Sequence, residues 1–220
     1  MNESTSLPNP KTVVAIIVYN RFDNMKRWIE CWKKCDQSEA DLVIVHNHDK
    51  GVDFLRYKSH CEANGIKYVP RKNMGFDIGA FQDICRGRLG GFDNDWNTLF
   101  WATDDTFPMQ RDFLSVFTSK LTETTGLSCM HISNEYAPHI RTTGICLKKN
   151  VAERLVFPAD PVTTKWQCYE FEHRGGAKTL LRQVESMGLK AEMVAPIESS
   201  PLWDSGHVYK RKSQHDNAFL

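Results

Sequence analysis

Apolar and polar positions along the chain follow two periods in turn. Residues 12–19 (TVVAIIVY) form an unbroken β-branched and apolar run, which predicts a strand covered on both faces in a parallel sheet. Over residues 23–35, Met25, Trp28, Ile29 and Trp32 recur at helical spacing while Lys26, Arg27, Lys33 and Lys34 fill the other face. That segment predicts an amphipathic helix laid on the sheet. The unit repeats, with a strand at 41–47 (DLVIVHN), a helix over 52–63 and a strand at 66–69 closed by Pro70. Glycines then punctuate RKNMGFDIGAFQDICRGR before a helical period resumes at 78–85, and a strand at 98–103 runs directly into Asp104-Asp105. Further on the pattern predicts a helix over 110–121, strands at 127–132 and 144–148, a short helix at 151–156, a helix over 177–187 capped by Gly188, and a last strand at 190–195. Strands and helices alternate, so the fold class is α/β, with a mostly parallel central sheet flanked by helices. There is no internal repeat or linker, and 220 residues read as a single domain spanning 1–220.

Composition narrows the function classes. With 28 Lys+Arg against 27 Asp+Glu the net charge is +1, which leaves no global field to attract nucleic acid or an anionic membrane. The seven cysteines (31, 35, 61, 85, 129, 146 and 168) are odd in number and scattered through predicted helices and strands. That pattern predicts reduced, buried thiols and a cytoplasmic location. The first ten residues are polar with two prolines, and no apolar run approaches the ~20 residues that span a bilayer. Neither a cleavable signal nor a transmembrane segment is expected.

The strongest chemical signal is Phe100-Trp101-Ala102-Thr103-Asp104-Asp105-Thr106. A buried strand that ends in two adjacent carboxylates has like charges in close proximity, which a cation or hydrogen-bond donors must offset. Mn2+ or Mg2+ suits such a place, because it prefers one or two carboxylates completed by phosphate oxygens. A solvated turn or a helix cap is the plain alternative. The opening strand AIIVYNR, the second strand ending HNHD, the loop Asn73-Met74-Gly75-Phe76-Asp77-Ile78-Gly79-Ala80 and the strand ending in TDD follow one another in a characteristic order. In that order they resemble the GT-A fold glycosyltransferases similar to family 2. The loop is most similar to the N-x-G-x-D-x-G segment of rhamnan-synthesis and capsule glycosyltransferases. The compact size is also similar to glycosyltransferase domains encoded by large algal viruses, for which the location would be the host cytoplasm. The resemblance covers residues 12–195. It departs from the family where Asp-x-Asp or Asp-Asp-Asp is usual, since Thr103 takes the place of the first acid.

The resemblance implies a GT-A-like domain whose half at 12–105 binds the nucleotide and whose half at 106–220 forms the acceptor side. It implies a nucleotide-sugar donor, with UDP favoured, and a glycan or other hydroxyl acceptor. Val18, Tyr19, Asn20 and Arg21 would lie under the nucleotide, where a ring can stack on a base and a guanidinium can fork onto phosphate. Asn47 and Asp49 would meet uracil or ribose edges. Arg71 is a candidate diphosphate contact, and Asn73, Gly75 and Asp77 would line the donor, with Gly75 allowing close backbone approach. Asp77 is equally a helix N-cap. Asp105 would touch the metal, Asp104 the ribose or a water on the metal, and His207 near the chain end would complete the metal site. The general base of an inverting transfer would be Glu172 or Glu170, with Glu172 favoured. Arg141-Thr142-Thr143-Gly144 would border the sugar pocket.

Other signals carry less. His46 and His48 have no third ligand nearby in sequence, so strand packing is the simpler reading. Gly175-Gly176-Ala177-Lys178-Thr179 lacks the register of a phosphate loop, and no G-x-G-x-x-G follows the first strand. Two rival functions stay open, a sugar nucleotidyltransferase and a non-catalytic nucleotide-sugar binding module. The first should show a glycine-rich basic loop after the first strand, where this chain has Asn20-Arg21-Phe22-Asp23.

Overall fold

A computed structural model describes residues 11–37, 40–134 and 137–194. The first half is built of β1 (Thr12–Val18), α1 (Phe22–Trp32), β2 (Ala40–His48), α2 (Phe54–Ala63), β3 (Lys67–Lys72), α3 (Phe76–Cys85) and β4 (Thr98–Thr103). The second half adds α4 (Phe113–Thr118), β5 (Thr125–Cys129), β6 (Ile132–Ser133), β7 (His139–Ile140), β8 (Ile145–Lys148), α5 (Lys149–Ala152), α6 (Lys165–Tyr169), α7 (Leu180–Ser186) and β9 (Lys190–Met193). Seven strands form one sheet in the order β3-β2-β1-β4-β8-β5-β9, and β6 and β7 pair separately. In the large sheet β8 runs antiparallel to both its neighbours, and the remaining pairings are parallel.

Side-chain alternation along the central strands makes two cores. Val13, Ala15 and Ile17 of β1 and Leu99 and Trp101 of β4 face α3, α5 and α7. Val14, Ile16 and Val18, with Phe100 and Ala102, face α1, α2 and α4. Both faces of β1 are therefore dry, which explains its continuous apolar run. On the first face Phe81 stacks on Trp101 at 4.6 Å and Phe157 on Phe171 at 4.7 Å, burying rings each worth about 2–3 kcal/mol of transfer energy. All seven cysteines are buried, which pushes their thiols up. No described helix is long and apolar enough to cross a membrane.

Several expected elements change their limits. Pro70 does not close the third strand; β3 continues to Lys72, with Pro70 opposite His46. A proline is tolerated there because β3 is an edge strand whose outer side needs no N–H donor. The helix expected over 110–121 contracts to α4, and the strand expected at 127–132 divides between β5 and β6. The last helix starts at Leu180, after a 3₁₀ turn at Gly176–Lys178 and an extended Thr179. It ends as expected at Gly188, whose φ of +75° permits the left-handed stop. A segment with no predicted element, 164–174, forms α6 followed by a π-helical turn, Glu170–Arg174.

Candidate active site

Between β1 and β4 the strand order reverses. The chain runs outward from β1 through β2 to β3, and β4 then returns to the opposite side of β1. Ligands of open α/β sheets bind outside the carboxyl ends of the strands at such a point. The register Ile17↔Thr103 sets the ends of β1 and β4 side by side. There the Asp104 N–H donates to the Ile17 carbonyl at 3.0 Å and the Tyr19 N–H donates to Asp104 Oδ2 at 3.4 Å.

The two carboxylates have different surroundings. The Asp104 side chain is 6% exposed and that of Asp105 is 54% exposed. Burial pushes the Asp104 carboxyl up to about 6, against the pull of the Arg21 guanidinium. Arg21 Nη1 lies 3.6 Å from Asp104 Oδ1 and 3.9 Å from Asp105 Oδ2. Thr103 Oγ1 donates to Asp105 Oδ1 at 2.5 Å, so the hydroxyl that precedes the acidic pair orients its exposed member. The Thr106 hydroxyl ties this turn to the carbonyls of Thr103 (3.0 Å) and Thr143 (2.9 Å).

Beside the pair, Asp49 gathers three of the predicted residues. It accepts from Tyr19 Oη at 2.5 Å, from Asn20 Nδ2 at 3.4 Å and from Asn73 Nδ2 at 3.4 Å. The Tyr19 bond, first among these, holds the Asp49 carboxyl below its ordinary range. Asn47 and Arg71 are turned inward. Buried Arg71 donates to Asp83 Oδ2 (2.7 Å), Asn47 Oδ1 (2.9 Å) and the carbonyls of Lys72 (3.2 Å) and Met74 (2.7 Å). Asn47 Nδ2 donates to the Phe76 carbonyl at 2.8 Å. These bonds shape the 72–76 loop from within. Gly75 takes φ +71° and packs so closely that a Cβ would lie 2.1 Å from the Val162 carbonyl oxygen.

From the second half, α6 begins with a capping box between Thr164 and Gln167. Phe171 is fully buried and pins the π-helical turn to the aromatic core. Glu172 Oε1 accepts from the Thr142 N–H and hydroxyl, both at 3.4 Å, and His173 Nδ1 lies 3.4 Å from Glu172 Oε2. His173 packs between the rings of His139 and Tyr169, each at 5.2 Å. Burial holds its imidazole below the ordinary value while Glu172 opposes that. Glu170 instead accepts from the indole N–H of exposed Trp166 at 2.8 Å. The half-buried Asp77 carboxyl is raised to about 6, first by burial and then by the charge of Glu172, with a smaller contribution from Asp105. Asp77, at the start of α3, thus senses the charge of a carboxylate from the π-helical turn and of one from the end of β4.

His46 is buried, stacks on Tyr57 at 4.0 Å and bonds through Nδ1 to Tyr68 Oη at 2.8 Å, and burial lowers its imidazole to about 4. Val18 is buried at the end of β1. His207 lies outside the described residues. Thr106, His139 and His173 were not singled out as site residues by the sequence; Thr142 was, within the Arg141-Thr142-Thr143-Gly144 segment expected to border the sugar pocket.

The donor set suits a hard divalent cation. Asp105 offers an exposed, oriented carboxylate next to a buried one whose proton affinity is raised, and the Arg21 guanidinium stands 3.6–3.9 Å from the two. Among the described residues no three His, Cys, Asp or Glu side chains form a metal cluster. Such an ion would therefore rely on ligand oxygens, as Mn2+ and Mg2+ do when they bind diphosphates.

No family model matches the sequence, and no curated protein matches it. Solved structures do. The mannosyltransferase PcManGT of Pyrobaculum calidifontis, solved with GDP-Man and Mn2+, superposes with a TM-score of 0.59 at 14% identity, over 84% of this chain and 54% of that one. This chain thus spans about half the length of that enzyme. A cytidylyltransferase of Leptospira borgpetersenii gives 0.55 at 13% identity over 86% and 77%. Glucosyl-3-phosphoglycerate synthase of Mycobacterium tuberculosis, solved with UDP, gives 0.52 at 9% identity over 88% and 74%. At these identities the likeness is one of fold, and the chain has the GT-A-like fold of the nucleotide-diphospho-sugar transferases.

Proposed function

We propose that this protein is a metal-dependent glycosyltransferase that moves a hexosyl group from a nucleotide-sugar, with UDP the favoured nucleotide, to a hydroxyl of a glycan or similar acceptor. The observation that carries this reading is the adjoining ends of β1 and β4 at the switch point, where Arg21 lies 3.6 Å from Asp104 and 3.9 Å from Asp105 and the network of Asp49 with Tyr19, Asn20 and Asn73 stands beside them. Tyr19, Asn20, Asp49 and Asn73 form the nucleotide side, where Tyr19 offers a half-exposed ring and Asp49 an acceptor for ribose or base. Arg21 faces the diphosphate, and Asp104 faces the ribose. Arg71 and Asn47 serve as positioning residues, since their polar atoms already hold the loop that carries Gly75 and Asp77.

When bound, Mn2+ or Mg2+ supplies positive charge that stabilises the departing diphosphate; Asp105 would hold it, with His207 a further candidate. Glu172, oriented by Thr142 and His173, takes the proton of the acceptor hydroxyl as its oxygen bonds to the anomeric carbon. The bond from that carbon to the diphosphate breaks, its electron pair leaves with the diphosphate, and the configuration inverts. Glu170, occupied by Trp166 on the outer face, is the weaker choice of base.

Calorimetry with UDP, with and without Mn2+, followed by donor hydrolysis assays on wild type and Asp105→Ala, tests the reading. Metal-dependent UDP binding and slow hydrolysis, both reduced at least tenfold in the variant, are expected. Metal-independent binding without turnover would favour a binding module. Release of pyrophosphate from a nucleoside triphosphate and a sugar 1-phosphate would favour the nucleotidyltransferase, to which the likeness with the cytidylyltransferase also points.

A further inference from the structure

Phe76 opens α3 with a φ of +55° and is 45% exposed. A bulky side chain in the left-handed region is a true outlier, and such strain persists only where the surroundings over-determine it. Here they do. Asn47 Nδ2 fixes the Phe76 carbonyl at 2.8 Å, Arg71 fixes Asn47 Oδ1 at 2.9 Å and the Met74 carbonyl at 2.7 Å, and Asp83 fixes Arg71 at 2.7 Å. The Gly79 N–H donates to the Gly75 carbonyl at 2.6 Å, and a Cβ on Gly79 would stand 2.2 Å from the Met74 carbonyl oxygen. A buried arginine, a buried asparagine and two tightly packed glycines therefore hold an apolar ring out of the core.

The place of that ring is informative. Three residues earlier, Asn73 bonds to Asp49, which in turn bonds to Tyr19. One residue earlier, the Gly75 carbonyl accepts from Cys168 Sγ at 3.3 Å, in the helix that runs into the turn carrying Glu172, and one residue later comes Asp77. Phe76 thus lies in the loop that joins the nucleotide-side network to the carboxyl groups of the transfer centre. We propose that Phe76 is a specificity-determining platform for the sugar of the donor, its phenyl face packing against the apolar C–H face of the hexose. The inference rests on the nucleotide-sugar reading and names the residue that selects the sugar within it.

Two variants separate this role from a structural one. Phe76→Asn tolerates the left-handed backbone without offering a ring, and Phe76→Tyr keeps the ring face. With Mn2+ present, calorimetry compares UDP with UDP-glucose and UDP-N-acetylglucosamine, and GDP with GDP-mannose. The wild type is expected to bind at least one sugar nucleotide more tightly than its nucleoside diphosphate. Phe76→Asn should erase that gain, by at least fivefold, while affinity for the diphosphate stays within twofold and the melting temperature does not fall; Phe76→Tyr should retain the gain. Equal loss of diphosphate and sugar-nucleotide affinity would assign the ring to the base and overturn the proposal. So would unchanged affinities, a melting temperature lowered by several degrees, or a wild type that binds the diphosphates yet gains nothing from any sugar. A wild type that binds none of the five probes would overturn the underlying function as well, which is a distinct result.

Discussion

Asp77 shows how single side chains at this site are held away from their preferred state. Its ordinary value of 3.8 rises to about 6 because burial and the Glu172 charge both disfavour the anion. The folded protein therefore holds that proton more tightly than the unfolded chain does. The stability this contributes is fully present below pH 3.8 and is lost as the pH rises through about 6. Asp77→Asn removes the dependence. Denaturant unfolding should show the variant matching the wild type near pH 4 and exceeding it by about 1–2 kcal/mol at pH 8, a figure discounted for partial contact with water. A wild type that gains on the variant with rising pH would contradict the assignment. At this scale the sequence already marked strand-end chemistry, because Tyr19, Arg21, Asp49, Asp104 and Asp105 directly follow or close apolar runs. It could not show that Arg71 is consumed internally, since its partners Asn47 and Asp83 lie 24 and 12 residues away and meet it only after the sheet and α3 have packed.

At the scale of elements, the loop entering α3 is the narrowest fit near the site. A methyl group at Gly75 would meet the Val162 carbonyl at 2.1 Å and would also have to sit at φ +71°. Gly75→Ala should cost about 2–4 kcal/mol, by adding backbone strain to overpacking. Gly90→Ala, where nothing lies within 4 Å of the added carbon, should change stability by no more than about 0.5 kcal/mol. Thermal and denaturant melts of the two variants check the contrast, and equal effects would mean that the contact is not tight. Long periodic elements were legible, as α1 and β1 demonstrate. The π-helical turn that carries Glu172 was not, because the preceding α6 has five residues, too few to display a full amphipathic period. Its anchor, Phe171, looks in sequence like an isolated aromatic between two acids and becomes intelligible only beside Phe157 and Phe81.

For the molecule as a whole, the alternation of strands and helices predicted a layered α/β fold with a mostly parallel sheet, and that is what forms. The antiparallel β8 was hidden, since strand direction depends on connections rather than on side-chain period. Its effect is to bring Thr142 and Thr143, just ahead of β8, against Glu172 and Thr106, linking the second half of the chain to the end of β4. In our reading the parallel half holds the donor and the β8 side brings the base. The most direct measurement is manganese anomalous diffraction from crystals grown with Mn2+ and UDP. A manganese peak is expected at ligand distance from an Asp105 carboxylate oxygen, with the diphosphate on its far side and the base toward Tyr19 and Asp49. Ordered UDP with no manganese beside Asp105, or a nucleotide bound away from the ends of β1 and β4, would contradict it.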